Sequence, residues 1–306
     1  MAWLCASALW AQTYTAKLHK YAIPSGDYSG ITPLGGDRYA VVSDARQQAG
    51  FHVWHLLLDD ETGKLLSAHD EGFRGCDFPI DRDAEGIAYC PQRGSVFISG
   101  EEDQRILEHR LDGSLTGSEL AIPSALCRDS IRANRGFEAL CYDSLRQVFW
   151  TVTESPLPSD AEGQLRLTSF GLDLAPRSII FYTLHPQQVT SPGRDHYHGV
   201  VALVAEPEGT LLVLEREARI APNFSGSRCW CRLFRFSPQS GQQTLLHEWS
   251  TRFTPFNTRF ANYEGMCFGP TLRDGRRTLL LVSDAQGGYG KAFWHLRDRL
   301  KVIILE

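Results

Sequence analysis

A two-part phrase recurs along the chain, and it constrains the fold more than any other feature. Its clearest copy is Asn262-Tyr263-Glu264-Gly265-Met266-Cys267-Phe268, a turn, and then Leu279-Leu280-Leu281-Val282-Ser283-Asp284. Asp83-Ala84-Glu85-Gly86-Ile87-Ala88-Tyr89 leads in the same way to Val96-Phe97-Ile98-Ser99-Gly100-Glu101. Asn134-Arg135-Gly136-Phe137-Glu138-Ala139-Leu140 leads to Val148-Phe149-Trp150-Thr151-Val152-Thr153-Glu154. Tyr28-Ser29-Gly30-Ile31 leads to Tyr39-Ala40-Val41-Val42-Ser43-Asp44, and His198-Gly199-Val200-Val201-Ala202 to Leu211-Leu212-Val213-Leu214-Glu215. Each copy starts on a polar residue, follows an apolar strand, turns, and returns along a second apolar strand to a carboxylate.

Taken at Ser29, Glu85, Glu138, His198 and Glu264, successive starts lie 56, 53, 60 and 66 residues apart. A period of about 50–60 residues with four strands in each unit is the mark of a β-propeller. The additional strands read as 51–58 and 65–69, 105–111 and 115–122, 165–172 and 178–184, and 229–237 and 244–249. The last unit has only 292–305 left, while a spare strand, 13–23, opens the chain. The expectation is an all-β chain forming a single β-propeller of four-stranded blades over residues 12–306. Five blades are preferred over six, since a sixth would have to lie within 156–194. The N-terminal strand closes the last blade from outside, which leaves no open sheet edge.

Composition narrows the partners. Net charge is −5 and the pI about 6.1, a balance that offers no overall electrostatic footprint for nucleic acid or an anionic membrane surface. After the N-terminus, no stretch approaches the roughly 18 apolar residues of a membrane span. The first eleven residues carry no charge and are rich in small and apolar side chains. They read as the back half of a secretory signal peptide cleaved between Ala11 and Gln12, which implies a periplasmic or secreted protein. A buried N-terminal strand is the other reading of that segment. The eight cysteines do not form a dense framework. Cys90, Cys141 and Cys267 fall at repeated strand positions, as small apolar core residues do. Cys229-Trp230-Cys231 lacks redox or zinc spacing, and pairing of Cys76 or Cys127 stays open.

The polar ends of the repeat carry the functional expectation. In a blade the second strand runs antiparallel to the first, so its last residue lies beside the first strand's beginning. The starts (Ser29, Glu85, Glu138, His198, Glu264) and the ends (Asp44, Glu101, Glu154, Glu215, Asp284) therefore converge on one mouth of the channel. Eight carboxylates around one opening repel one another unless a cation or basic side chains neutralise them. Oxygen-rich rings suit Ca²⁺, with Asp44, Glu85, Glu138, Glu264 and Asp284 as metal ligands. Arg46, Arg135, Arg216 and Arg219 fall near the same level and match the geometry of phosphate or carboxylate groups. Glu138 and Glu264 are candidate general bases, with His198 orienting a leaving group. The competing reading is structural: recurring polar residues at strand ends bond the backbone of the next blade.

The 83–101, 134–154 and 262–284 segments together resemble the phytase-like family, whose domain is described as having esterase-like activity of phytase. The resemblance runs roughly from Ser29 to Asp284. It implies an exported bacterial β-propeller with ester or phosphoester hydrolysis, and calcium by analogy with propeller phytases. The expected partner is a small anionic or ester substrate, and the expected state a monomer. Ser29 and His198 replace the repeat glutamate in two units, and Gly136-Phe137-Glu138-Ala139 changes its order in a third. Two other functions remain open: a non-catalytic propeller that binds or scaffolds in the bacterial envelope, and a calcium-dependent lactonase-like hydrolase.

Overall fold

The computed structural model describes residues 12–44, 48–78, 81–126, 136–191, 193–254, 257–285, 290–291 and 294–306. The proposed signal-peptide remnant, Cys127, Arg46 and Arg135 lie outside them. Five antiparallel sheets form a propeller of five blades. From the inner strand outward, the first is Tyr28–Gly35, Arg38–Ser43, Ala49–Leu58 and Leu65–Cys76. The second is Ala84–Cys90, Ser95–Gly100, Arg105–Arg110 and Leu115–Glu119. The third is Phe137–Asp143, Val148–Thr153, Gln164–Gly171 and Pro176–Thr183. The fourth is Asp195–Ala205, Leu211–Ile220, Arg228–Phe236 and Gln243–Thr254, with the short Asn257–Thr258 as a fifth strand.

The fifth blade joins the two ends of the chain. Asn262–Phe268, Arg277–Asp284 and Arg299–Leu305 are completed by Thr13–Lys17, which pairs antiparallel with Arg299–Leu305 from Thr13↔Ile303 to Lys17↔Arg299. The expected N-terminal clasp is thus the outer strand of the closing blade. It is followed directly by Leu18, fully buried, whose amide donates to the Asp298 carbonyl at 3.0 Å.

The apolar runs of the repeat have a simple cause. A strand sends alternate side chains to opposite faces, and in a propeller both faces of a blade are covered by neighbours. Leu279 and Leu281 pack toward the fourth blade, while Leu280 and Val282 pack toward the first. Tyr39 and Val41 face the fifth blade, and Ala40 and Val42 the second. Five apolar clusters result, one between each adjacent pair of blades. Each fully buried Leu, Val or Phe contributes about 1.5–3 kcal/mol, so the ring closes through five comparable interfaces. The described cysteines are free thiols, most of them buried among these clusters.

Near the axis the inner strands approach so closely that glycine is required. A Cβ on Gly199 would sit 1.9 Å from the Glu154 carbonyl oxygen, and one on Gly265 would sit 2.8 Å from the Ser29 carbonyl oxygen. Both obstacles are backbone, which cannot rotate away. Gly199→Ala is therefore expected to destabilise the protein by about 3 kcal/mol, the upper part of the usual range for overpacking. Urea denaturation of the two proteins measures it; a loss below about 0.5 kcal/mol would mean that the third and fourth blades can slide apart freely.

Candidate functional site at the channel mouth

Each inner strand carries an irregularity where it enters the channel. The ladder shifts register between Tyr28 and Gly30, Ala84 and Ile87, Phe137 and Ala139, Val200 and Ala202, and Tyr263 and Gly265. The bulged positions include Ser29, Glu85, Glu138, Val201 and Glu264. A bulge re-aims a side chain at a strand end, and here it aims Glu85, Glu138 and Glu264 at the axis. The matching residues on the second strands are Asp44, Glu101, Glu154, Arg216 and Asp284: the first three amides donate to the Asp27, Asp83 and Gly136 carbonyls, while Arg216 pairs with Gly199 and Asp284 with Asn262.

The fourth blade therefore differs from the register expected from sequence. His198 and Glu215 do not occupy the repeat positions; Val201 and Arg216 do. His198 lies opposite Glu217, and its Nε2 is buried without a hydrogen-bond partner among the described residues. Burial, outweighing the nearby Glu215 and Glu217, pushes its pKa down. Glu215 accepts from the Tyr182 hydroxyl at 2.7 Å and lies 3.1 Å from His185 Nδ1, away from the channel cavity. The inner strand here runs eleven residues, so the glycine of His198-Gly199 stands where Gly136 and Asn262 stand in other blades. Matching Gly199-Val200-Val201 to Gly136-Phe137-Glu138 would have found this register.

The consequence is an arginine inside the acidic ring. Arg216, 5% exposed, donates through Nη1 to Asn262 Oδ1 at 2.9 Å and to Glu264 Oε1, and through Nη2 to Glu154 Oε1 at 2.5 Å. Glu138 Oε1 lies 3.9 Å from Nη2. Asn262 Nδ2 in turn donates to Glu264 at 2.6 Å and to Asp284 at 3.3 Å. Arg216 thus gathers the carboxylates of the third and fifth blades. Arg219 is turned outward, its Nε donating to the Ser191 carbonyl at 2.9 Å, and it does not line the mouth.

The second blade forms the other side. Asp83, Glu85 and Glu101 each offer an oxygen, and the three oxygens lie within 4.8 Å of one another. Asp83 sits in the left-handed region at φ 50°, as Asp27 does at φ 45° in the equivalent place before the first blade. Glu101 Oε1 accepts the Gly136 amide of the next blade at 2.8 Å. These residues face a cavity of about 190 Å³ that Asp44, Glu138, Glu154, Glu264, Asp284 and Arg216 also line. Eight carboxylates and one arginine thus share the mouth. Asp83 is a site residue that the repeat starts and ends do not include, and Glu101 gains a candidate ligand role from its place beside it; the match of Asp27-Tyr28-Ser29 to Asp83-Ala84-Glu85 is the sequence clue to the former.

Crowding shows in the protonation of the ring. Burial, then the charges of Glu138 and Glu264, hold Glu85 well above the usual carboxylate range. Burial and Glu154 do the same to Glu138 despite the attraction of Arg216. Burial pushes Glu264 up to about 7 even with Arg216 bound to it. Asp83 is raised by burial and by Asp81. The donor set is all oxygen, with carboxylates that give up protons to a cation, and so fits a hard divalent ion such as Ca²⁺. The lining contains no histidine or cysteine among the described residues, which disfavours a softer metal.

A family profile described as "Phytase-like: Esterase-like activity of phytase" matches residues 23–285. No curated protein matches the chain. An endo-arabinase from Bacteroides thetaiotaomicron is similar in structure, with TM-score 0.51 and 10% identity over 93% of this chain and 95% of that one. The Pseudomonas aeruginosa periplasmic gluconolactonase PpgL gives TM-score 0.41 and 15% identity over 89% and 71%. Kuenenia stuttgartiensis hydrazine synthase gives 0.39 and 8%, over 88% of this chain but only 60% of that chain. The arabinase likeness concerns the propeller fold alone.

Proposed function

This chain belongs to the phytase-like family, and we propose that its channel mouth holds a divalent cation, Ca²⁺ by its donor chemistry, and hydrolyses a small ester or phosphate ester beside it. The observation that carries this reading is the division of the acidic ring: Arg216 gathers Glu154 and Glu264, while Asp83, Glu85 and Glu101 cluster across the cavity. In this reading Asp83, Glu85 and Glu101 are the ligands, with Asp44 at the same mouth. Glu138, Glu264 and Asp284, the other expected ligands, stand toward the Arg216 side.

When bound, the cation would offset the negative charge that repels an anionic substrate and polarise the ester oxygen. Glu138 is the residue to move a proton: it faces the cavity, and burial with the neighbouring Glu154 charge holds its carboxyl above the usual carboxylate range. Arg216 positions Glu154 and Glu264, and Asn262 fixes Glu264 from its other side. His198 takes no part, since it lies off the cavity. An exported location accords with this chemistry, because extracellular calcium modules work at about 10⁻⁴ to 10⁻³ M. Among the described residues no helix is long and apolar enough to cross a membrane.

The test is turnover of a chromogenic phosphate ester, an acetate ester and a lactone, each with Ca²⁺ or with chelator. Chelator-sensitive turnover of one of them is expected, lost by about 100-fold or more in Glu85→Gln. Calcium should also raise the melting temperature of the wild type but not of that variant. A calcium-dependent shift with no turnover on any ester would leave a binding module. Neither a shift nor turnover would remove the metal reading altogether.

A further inference from the structure

A large cavity lined by described residues lies outside the channel. It measures about 1140 Å³ and runs beside the N-terminal clasp strand, where the fifth blade meets the fourth and the turn at Lys64 of the first. Eight cationic side chains line it and no carboxylate does. Lys17, Lys20, Lys64, Arg228, Arg252 and Lys301 are six of them, and none makes an ion pair with a described residue. Elsewhere arginines are met by acids, as in Arg93 with Glu108, Arg166 with Asp160 and Arg235 with Glu206. In a chain of net charge −5, this segregation of positive charge stands out.

Burial makes the arrangement costly. Lys301 is 6% exposed and lies in the cavity wall, its Nζ 5.0 Å from the centre of the Trp249 ring. A buried ammonium without a counter-charge is strongly disfavoured, and burial accordingly pushes Lys301 down to about 8. Lys17 is lowered by burial and then by Arg299, Lys20 and further arginines around it. Tyr14, Tyr21 and Tyr263 add ring faces and hydroxyls to the same wall. Tyr263 stands between Asn262 and Glu264 in the inner strand, so strand alternation sends it to the groove while its neighbours face the channel.

The geometry points to a binding site for a compact anion carrying several clustered phosphoryl groups. A single carboxylate or sulfate would leave most of these six cations uncompensated. A phosphoryl group carries about −1.5 to −2 at neutral pH, so roughly three to four of them balance these six cations. Arginine forks take phosphate oxygens bidentately and lysines meet them as point charges. The volume exceeds the ~300–1,000 Å³ of ordinary small-molecule sites, so room is not limiting. The groove shares no lining residue with the channel mouth, and this inference stands whether or not the mouth is catalytic.

Inorganic tripolyphosphate is the probe, titrated calorimetrically against the whole chain in excess chelator so that metal at the mouth takes no part. It should bind at least about tenfold tighter than orthophosphate, and weaken as salt rises from about 0.05 to about 0.3 M. The exposed pair Lys20→Gln with Arg252→Gln should weaken it by about tenfold with an unchanged melting temperature, and Lys301→Met by more. Glu85→Gln should leave the affinity unaltered. Equal affinity for orthophosphate and tripolyphosphate, an adventitious ion only, overturns the proposal. So does tripolyphosphate binding that ignores the Lys20 and Arg252 changes, or retention by vesicles of anionic phospholipid with no binding of the free anion.

Discussion

Arg216→Met should lower the stability of this protein by about 3–5 kcal/mol, the loss usual when one partner of a buried ion pair is removed. At this chain length the melting temperature would fall on the order of 10 °C. The reason is geometric. The Arg216 guanidinium joins Asn262, Glu264 and Glu154, which come from two other blades. Methionine fills much of the volume but leaves Glu154 and Glu264 buried beside Glu138 with no cation between them. Arg216→Lys should recover little, because one ammonium cannot replace a fork that reaches Glu154 with one nitrogen and Asn262 and Glu264 with the other. Part of the loss should return near pH 5, where Glu264 takes up a proton. A loss below about 1 kcal/mol, measured by denaturant titration, would show that Arg216 does not hold the ring together.

The second large effect is the pH dependence of the metal-free protein. Glu264 ionises at about 7 in the folded chain, against 4.5 for the unfolded group, and Glu85 and Glu138 are shifted the same way. A raised carboxyl pKa means that the folded state binds more protons than the unfolded one across this interval. Stability then decreases as pH rises. Below about pH 4.5 neither state is charged and the penalty is absent; above about 7 the Glu264 contribution is fully present, on the order of 3 kcal/mol. Glu85 and Glu138 extend the decline in the same direction. Burial holds the His109 pKa down to about 4, which opposes this trend up to about pH 6.5. The three carboxyls outweigh that single group, so with chelator the melting temperature should fall between pH 5 and pH 8. Calcium should reverse the fall, with a stabilisation that grows with pH because protons and cation compete for the same oxygens. Glu85→Gln should flatten the chelated profile and remove the calcium effect. A melting temperature that rises from pH 5 to pH 8 in chelator would contradict this account of the ring.

Particular residues show how far the sequence could be read. Leu279-Leu280-Leu281-Val282 is apolar at every position because both faces of the blade are buried, so its two-sided pattern announced a stacked architecture. The leftover strand at Thr13–Lys17 and the missing fourth strand of the last unit likewise implied their pairing. His198-Gly199 misled in the fourth blade, since its glycine resembles that of Glu85-Gly86 but serves close packing against the Glu154 backbone. A slip of a single residue turns a strand's side chains to the opposite face. That is why Glu215 and Arg216, adjacent in the chain, have opposite destinations. Net charge also concealed more than it revealed: a total of −5 says nothing about where eight cations gather.

What the sequence determined by itself is the repeating architecture, because burial on both faces writes apolar residues at every strand position and period alone counts the blades. The tertiary structure decided the register of the fourth blade, and with it the arginine in the acidic ring. It also decided the charge of the large groove, whose walls come from 14–17, 20–21, 64–65, 228, 250–252, 259, 263, 299 and 301–302. Those segments are far apart in the chain, and only ring closure brings them together. Local patterns encode which face of a strand is buried; long-range packing alone fixes which charges end up side by side.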